Sequence, residues 1–283
     1  MTFVQGIIRP ERAWLCADKR LSGLHGNYID DKNIKILVVH CLNGTLLLGY
    51  TGIAILKDHT KIPDWIRTTI RGGNKTISDT IDHLISRADR DISNQGPLLF
   101  LVISCSSINI DLYQISNLKD KPLGWFAPPN KKFLIYKLDF PKPFYFAAGS
   151  GSSLLKKSEI NRLQTIVQNK PRDLKNFTDL LFRVNDQIAT QDGKSVSTSA
   201  VAATLPLGGK PVSMHSYKVD DVTLKHTPII IQGIDMTDLL EYTYNQFEMA
   251  SKSDSEKFDD DYSEQITLIS KKSVIPRIIN YFL

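Results

Sequence analysis

The sequence has few cysteines and no long apolar run. Its three cysteines are odd in number and far apart, which excludes a disulfide framework and is typical of reduced core thiols. No stretch reaches the ~18 consecutive apolar residues of a membrane-spanning helix, and the N-terminus has no basic segment followed by a long apolar one, as a secretory signal would. We therefore expect a cytoplasmic chain with no membrane partner.

A concentrated block of basic residues is also missing. The 35 Lys and Arg residues nearly balance the 30 Asp and Glu residues, and the net charge of +5 is spread along the chain. A nucleic-acid partner is not indicated, because such proteins usually gather their basic residues into a patch.

Several chemical motifs are absent as well. The six histidines show no metal-ligand spacing and the cysteines form no Cys-x-x-Cys pair, so no metal is expected. The chain has neither a glycine-rich phosphate loop nor a Gly-x-Ser-x-Gly motif, which argues against a nucleotide hydrolase and a serine hydrolase. We expect no cofactor.

What is present is enough apolar residue content for one large domain. The chain has 283 residues, of which 42% are hydrophobic. We assign residues 1–220 to this domain. Residues 221–283 form a C-terminal extension with an acidic, polar linker at about 249–265, and its apolar end is expected to pack on the same domain or on a neighbouring subunit.

The hydrophobic pattern predicts strands before helices. Residues 3–8 and 13–17 read as a hairpin around Pro10, and residues 34–41 and 45–49 as a second hairpin across Asn43-Gly44. Helical periodicity follows at 63–70 and, after the possible cap Thr76, at 77–88. Later segments repeat this order, with strands at 98–105, 108–115, 133–138 and 144–148, helices at 152–168 and 174–188, and strands at 198–205 and 212–219. The pattern indicates an α+β fold, a four-layer αββα sandwich of two antiparallel sheets between helical layers.

One constellation stands out. If Met1 is removed, Thr2 becomes the first residue, Asp18 the seventeenth (18 − 1) and Lys35 the thirty-fourth (35 − 1), and Gly49 opens the motif Gly49-Tyr50-Thr51-Gly52. A threonine hydroxyl is a weak nucleophile until a base lies beside it, and a free α-amine near a lysine can supply that base. With residues 147–152, Ala-Ala-Gly-Ser-Gly-Ser, these intervals resemble the N-terminal-nucleophile (Ntn) hydrolases. Within them the chain is similar to proteasome β subunits and their bacterial relatives, over roughly residues 1–215.

The resemblance implies a role for each matching residue. Thr2 would be the nucleophile and its α-amine the proton acceptor. Lys35 would lower the pKa of the amine and of the hydroxyl, and Asp18 would orient Lys35. The Gly49 N–H would face the oxyanion, and Ser150 would hydrogen-bond near the amine.

Three supporting residues also follow from the resemblance, and two assignments stay open. Arg20 would brace Asp18, and Asp192 with Ser195 would match the Asp and Ser that the family places after its fourth helix. Ser197 and Ser199 sit in a similar context and are alternatives to Ser195. Lys35 lies one residue later than the family spacing, which leaves Lys32 as its alternative.

These roles predict a threonine-type amide hydrolase, a peptidase working through an acyl-enzyme ester. A small-molecule amidohydrolase and a non-catalytic proteasome-like scaffold subunit are the alternatives. The resemblance further implies a homo-oligomer, a peptide or small amide as substrate, and an unfoldase or another protein as a possible partner.

Overall fold

Two large β-sheets and four α-helices make up most of the chain that the structure describes. The computed structural model describes residues 2–22, 28–30, 33–73, 75–118, 129–169, 174–193, 195–209, 211–218, 228–237 and 242. One sheet has five strands in the order β10-β1-β2-β11-β12, and the other has seven in the order β14-β13-β5-β6-β7-β8-β9. A separate two-stranded ribbon pairs β3 with β4.

The element bounds follow the chain. The strands are β1 Phe3–Ile8, β2 Arg12–Asp18, β3 Leu21–Ser22, β4 Tyr28–Asp30, β5 Ile36–Cys41, β6 Gly44–Gly52, β7 Leu98–Cys105, β8 Ile110–Leu118, β9 Pro129–Leu138, β10 Phe144–Gly149, β11 Ala200–Pro206, β12 Ser213–Tyr217, β13 Ile229–Ile231 and β14 Ile234–Asp235. The helices are α1 Ile62–Ile70, α2 Ile77–Asp91, α3 Lys157–Asn169 and α4 Leu174–Asp192, with a 3-10 helix at Ser150–Leu154.

Alternation along the strands sends side chains into different apolar clusters. In β6, Leu47 packs between the two sheets with Val4 and Leu15, whereas the next residue, Leu48, packs toward α1 and α2. A third cluster joins the five-stranded sheet to α3 and α4 and includes Trp14. Successive strand residues point to opposite faces, so each sheet buries both of its faces.

The predicted hairpins and helix starts are largely confirmed. The first two strands pair antiparallel, as do β5 and β6 across Asn43-Gly44. Thr76 caps α2 in a reciprocal box with Asp79, in which each side chain accepts a hydrogen bond from the other residue's backbone N–H.

Several predicted boundaries were shifted, and hydrogen bonds explain two of the shifts. The helix predicted over 152–168 is interrupted, because the 3-10 helix ends at Leu154 and Glu159 accepts a hydrogen bond from the Lys156 N–H at 3.0 Å, so that α3 begins at Lys157. The strand predicted from Ile108 begins at Ile110, since Ser106 and Asn109 close a turn through backbone and side-chain hydrogen bonds.

The prediction of two purely antiparallel sheets was wrong, because one sheet contains a parallel pair of strands. Residues Ile229–Ile231 pair in parallel with Val38, Val39 and His40 of β5, and this strand comes from the segment that follows residue 220. The acidic linker at 249–265 and the apolar end of the chain lie outside the described residues. Among the helices described, none is long and apolar enough to cross a membrane.

Candidate active site

A buried lysine joins the hydroxyl of Thr2 to a carboxylate. Lys35 Nζ lies 3.0 Å from Thr2 Oγ1 and 2.9 Å from Asp18 Oδ1. The side chains of Lys35 and Asp18 are fully buried, and Thr2 is only 3% exposed. Water screens a buried ion pair much less than an exposed one, so the charge of Lys35 acts strongly on the Thr2 oxygen.

Four hydrogen-bond donors among the described residues hold Asp18. Its Oδ1 accepts from Lys35 Nζ and, at 2.8 Å, from the Phe3 N–H. Its Oδ2 accepts from the backbone N–H of Arg20 at 3.0 Å and of Ser197 at 3.2 Å. Two oxygens with two lone pairs each are thereby saturated, which fixes the carboxylate that orients Lys35.

The strand register explains how these groups meet. Thr2 directly precedes β1, Asp18 ends the neighbouring strand β2, and their antiparallel pairing places Phe3 next to Asp18. Lys35 directly precedes β5 in the other sheet. The facing ends of the two sheets therefore bring the three side chains together although they are far apart in sequence.

Gly149 packs against the main chain of Thr2. A Cβ at this position would collide with the Thr2 carbonyl oxygen and would lie 2.7 Å from Thr51 Oγ1, and the φ of Gly149 is +93°. The hydroxyls of Thr51 and of Ser150, the residue after Gly149, are buried and have no hydrogen-bond partner among the described residues. The Thr51 hydroxyl borders Gly149, which in turn contacts Thr2, so this end of the facing sheets can accept an additional polar group.

Gly49 is placed differently from the other predicted residues. It lies within β6, opposite Ile36 on one side and Leu101 on the other, and a Cβ there would be 3.2 Å from Leu15 and from Val4. Two residues further along the same strand, Thr51 is the residue that reaches Gly149. Among the described residues, Leu15 and Val4 and not Thr2 lie nearest the Cβ position of Gly49.

The three supporting residues have distinct surroundings. Arg20 meets Asp18 through its backbone N–H. Asp192 accepts hydrogen bonds from the hydroxyl of Ser195, at 2.6 Å, and from the Ser195 and Val196 N–H groups, and so closes the turn after α4. Ser197, one of the two alternatives to Ser195, donates its backbone N–H to Asp18 Oδ2. Lys32, the alternative to Lys35, lies outside the described residues.

Two nearby residues were missed by the sequence reasoning. Thr51 was noted only as a member of the motif that Gly49 opens, although it is fully buried beside Gly149. Asn185 is fully buried in α4 and donates to the Ser197 carbonyl at 2.8 Å. Its signal in the sequence is a polar residue four positions after Leu181 and three before Ile188, inside the apolar stripe of the helix.

Cys16, the thiol nearest this cluster in sequence, is not a competing nucleophile. Burial, and secondarily the negative charge of Asp18, raises the pKa of the Cys16 thiol far above its usual range. The thiol is therefore neutral near pH 7, and the thiolate is the reactive form. The hydroxyl of Thr2, by contrast, has the Lys35 ammonium group beside it.

Comparison with known proteins gives a likeness in fold. Neither a protein-family model nor a curated protein matches the sequence. Among solved structures, the chain is similar to a Gly-1 mutant of Anbu from Hyphomicrobium sp. strain MC1, with a TM-score of 0.52 and 12% identity over 92% of this chain and 99% of the other. Anbu is a bacterial proteasome-like protein with the Ntn-hydrolase fold. The chain thus has a mixed α+β architecture of the Anbu-like Ntn type.

Proposed function

We propose that this chain is a threonine-type amide hydrolase that uses Thr2 as its N-terminal nucleophile once Met1 has been removed. The observation that carries the proposal is the Lys35 ammonium group, which lies 3.0 Å from Thr2 Oγ1 and is held by Asp18 at 2.9 Å. The full architecture that we infer is the αββα sandwich, since the three apolar clusters join helices, sheet, sheet and helices in that order.

The proposed reaction has two halves. Thr2 Oγ1 attacks the amide carbonyl while its proton passes to the free α-amine, and that amine then protonates the departing nitrogen as the C–N bond breaks. Water next attacks the resulting ester on Thr2, which releases the acid and restores the hydroxyl. The positive charge of Lys35 favours the ionised hydroxyl and the neutral α-amine.

The remaining groups have proposed supporting roles. A backbone N–H is to stabilise the oxyanion, the role assigned to Gly49, and such a donor typically lowers the barrier by about 3 kcal/mol. Ser150 offers its unsatisfied hydroxyl to the α-amine, and Arg20 and the Asp192–Ser195 turn hold the loops around Asp18.

A peptide is the proposed substrate, and a small amide is the second candidate. Thr2 is 3% exposed in the chain that still carries Met1, and removal of Met1 frees its α-amine. A non-catalytic scaffold subunit is the third candidate. A panel of fluorogenic peptides and a panel of small amides distinguish the two substrates. If protein with a free Thr2 amine hydrolyses neither, the result supports a non-catalytic scaffold subunit.

We test the nucleophile with intact-mass analysis and a Thr2→Ala variant. The purified protein should lack Met1, and the variant should fold but hydrolyse nothing. Thr69→Ala is the matched control, since Thr69 is another buried threonine, in α1, whose hydroxyl has no partner among the described residues. Retention of Met1 in a protein that hydrolyses amides, or undiminished turnover by Thr2→Ala, would reject Thr2 as the nucleophile.

Assembly into a homo-oligomer is part of the proposal. The fold likeness to a proteasome-like protein supports it. An unfoldase that delivers unfolded substrate is the proposed partner of such an assembly. Light scattering that reports a monomer at all concentrations would contradict it.

A further inference from the structure

A buried amide lies behind the carboxylate that orients Lys35. Asn185 is fully buried in α4, on the same side of the helix as Leu181 and Ile188, which belong to the apolar cluster against the five-stranded sheet. Burying a side-chain amide costs free energy unless both its donors and its acceptor find partners.

The donor end of Asn185 does have a partner, and that partner leads to the site. Asn185 Nδ2 donates to the carbonyl oxygen of Ser197 at 2.8 Å, and the N–H of the same Ser197 donates to Asp18 Oδ2 at 3.2 Å. The turn residue is thus held from the helix side by its carbonyl while it holds Asp18 by its amide.

The acceptor end has no such compensation. Asn185 Oδ1 is buried without a hydrogen-bond partner among the described residues. A leucine of similar volume would avoid this penalty, so packing does not explain an amide here. Asn117, also fully buried, is different, because its Nδ2 donates to the Gly96 carbonyl and its Oδ1 accepts from the Leu98 N–H, both at 2.8 Å.

We infer that Asn185 is a positioning residue for the Thr2–Lys35–Asp18 cluster: through Ser197 it fixes Asp18, and through Asp18 the place of the Lys35 ammonium group. The inference rests on the proposed function for its consequence in catalysis. The chain of contacts from Asn185 to Lys35 is independent of any substrate. Losing the Asn185 donor frees the Ser197 carbonyl, so the Ser197 N–H is held less firmly against the Asp18 carboxylate.

The experiment compares Asn185→Leu with Asn117→Leu in protein carrying ¹³C-labelled lysine. The NMR signal of Lys35, assigned by its loss in Lys35→Arg, is titrated against pH, and hydrogen exchange is measured for the peptide that contains Ser197. Asn185→Leu should move the Lys35 titration midpoint by about half a pH unit or more and should speed exchange at Ser197. Asn117→Leu should change neither. Where Asn185→Leu does not fold, Asn185→Ala, which also removes the donor, takes its place.

The outcomes separate this inference from the proposed function. An unchanged Lys35 titration and unchanged exchange at Ser197 in the folded Asn185 variant would overturn the positioning role. If the wild-type protein hydrolyses an amide, Asn185→Leu should lower kcat at least tenfold with little change in KM, and a change in KM alone would contradict the inference. If the wild type hydrolyses nothing, the proposed function fails, while the titration and the exchange still decide the role of Asn185.

Discussion

Gly149 approaches Thr2 so closely that no side chain fits between them. Its backbone has a φ of +93°, and a Cβ would collide with the Thr2 carbonyl oxygen. The glycine therefore fixes the position of the main chain from which the candidate nucleophile extends.

We expect Gly149→Ala to destabilise the protein by more than about 2 kcal/mol, since an L-residue at this φ is strained by roughly 1–2 kcal/mol and the collision adds to that cost. Urea unfolding measures it. Gly193→Ala is the control, because Gly193 has a φ of +68° but nothing within 4 Å of its Cβ position. Equal losses in the two variants would show that the contact with Thr2 adds no cost.

The ion pair of Lys35 and Asp18 should be expensive to break from one side. Lys35→Met leaves a buried carboxylate without its cation, so we expect a loss of about 3–5 kcal/mol in the free energy of unfolding. The pair of Lys137 and Asp111, 3.1 Å apart with the lysine 51% exposed, provides the comparison. There Lys137→Met should cost no more than about 1 kcal/mol. Similar costs for the two lysines would argue against a buried, paired Lys35.

Stability should fall at alkaline pH. Burial raises the pKa of the Cys16 thiol and of the Tyr145 phenol, and the charge of Asp18 adds to the shift at Cys16. Above about pH 9 the unfolded chain releases the Cys16 proton while the folded chain keeps it, which lowers the free energy of unfolding by about 1.4 kcal/mol per pH unit. Tyr145 acts in the same direction above about pH 10, where the phenol of the unfolded chain ionises.

Denaturant unfolding between pH 8 and 10.5 tests this, with Cys16→Ala as the variant. The variant starts from a lower stability because it leaves a cavity, but its decline with pH should be shallower than that of the wild type. Parallel declines would mean that Cys16 titrates alike in the folded and unfolded chains.

The cap of α2 should matter for stability alone. Thr76→Ala removes the hydroxyl that accepts from the Asp79 N–H at 3.2 Å, so we expect a loss of about 1 kcal/mol. Thermal unfolding measures this loss, and any amide hydrolysis should be unaffected. A change in turnover at full folding would show that α2 is coupled to the site.

The sequence was most informative where a local rule applies. The hairpin across Asn43-Gly44 and the helix cap at Thr76 depend on neighbouring residues, and both were predicted correctly. The break before α3 was missed, because the apolar period continues across Lys156 and only the Glu159 side chain ends the segment.

The candidate site divides in the same way. The intervals from Thr2 to Asp18 and Lys35 indicated a cluster, and the structure brings these three side chains together. Asn185 and Thr51 could not be found in that manner, since their importance comes from contacts between elements that are distant in sequence. Periodicity reports a buried side but not what lies across from it.

The parallel strand β13 has a consequence for the lysine. Ile229–Ile231 pairs along β5, and the Val38 N–H donates to the Pro228 carbonyl at 3.1 Å. A segment that follows residue 220 therefore covers the outer border of β5, the strand that begins just after Lys35. A protein shortened to residue 220 would leave the hydrogen-bonding groups on that border open to water or to another chain. Only β6 would then hold β5, the strand that begins just after Lys35, and the open border of β5 would be a site for strand pairing with another molecule.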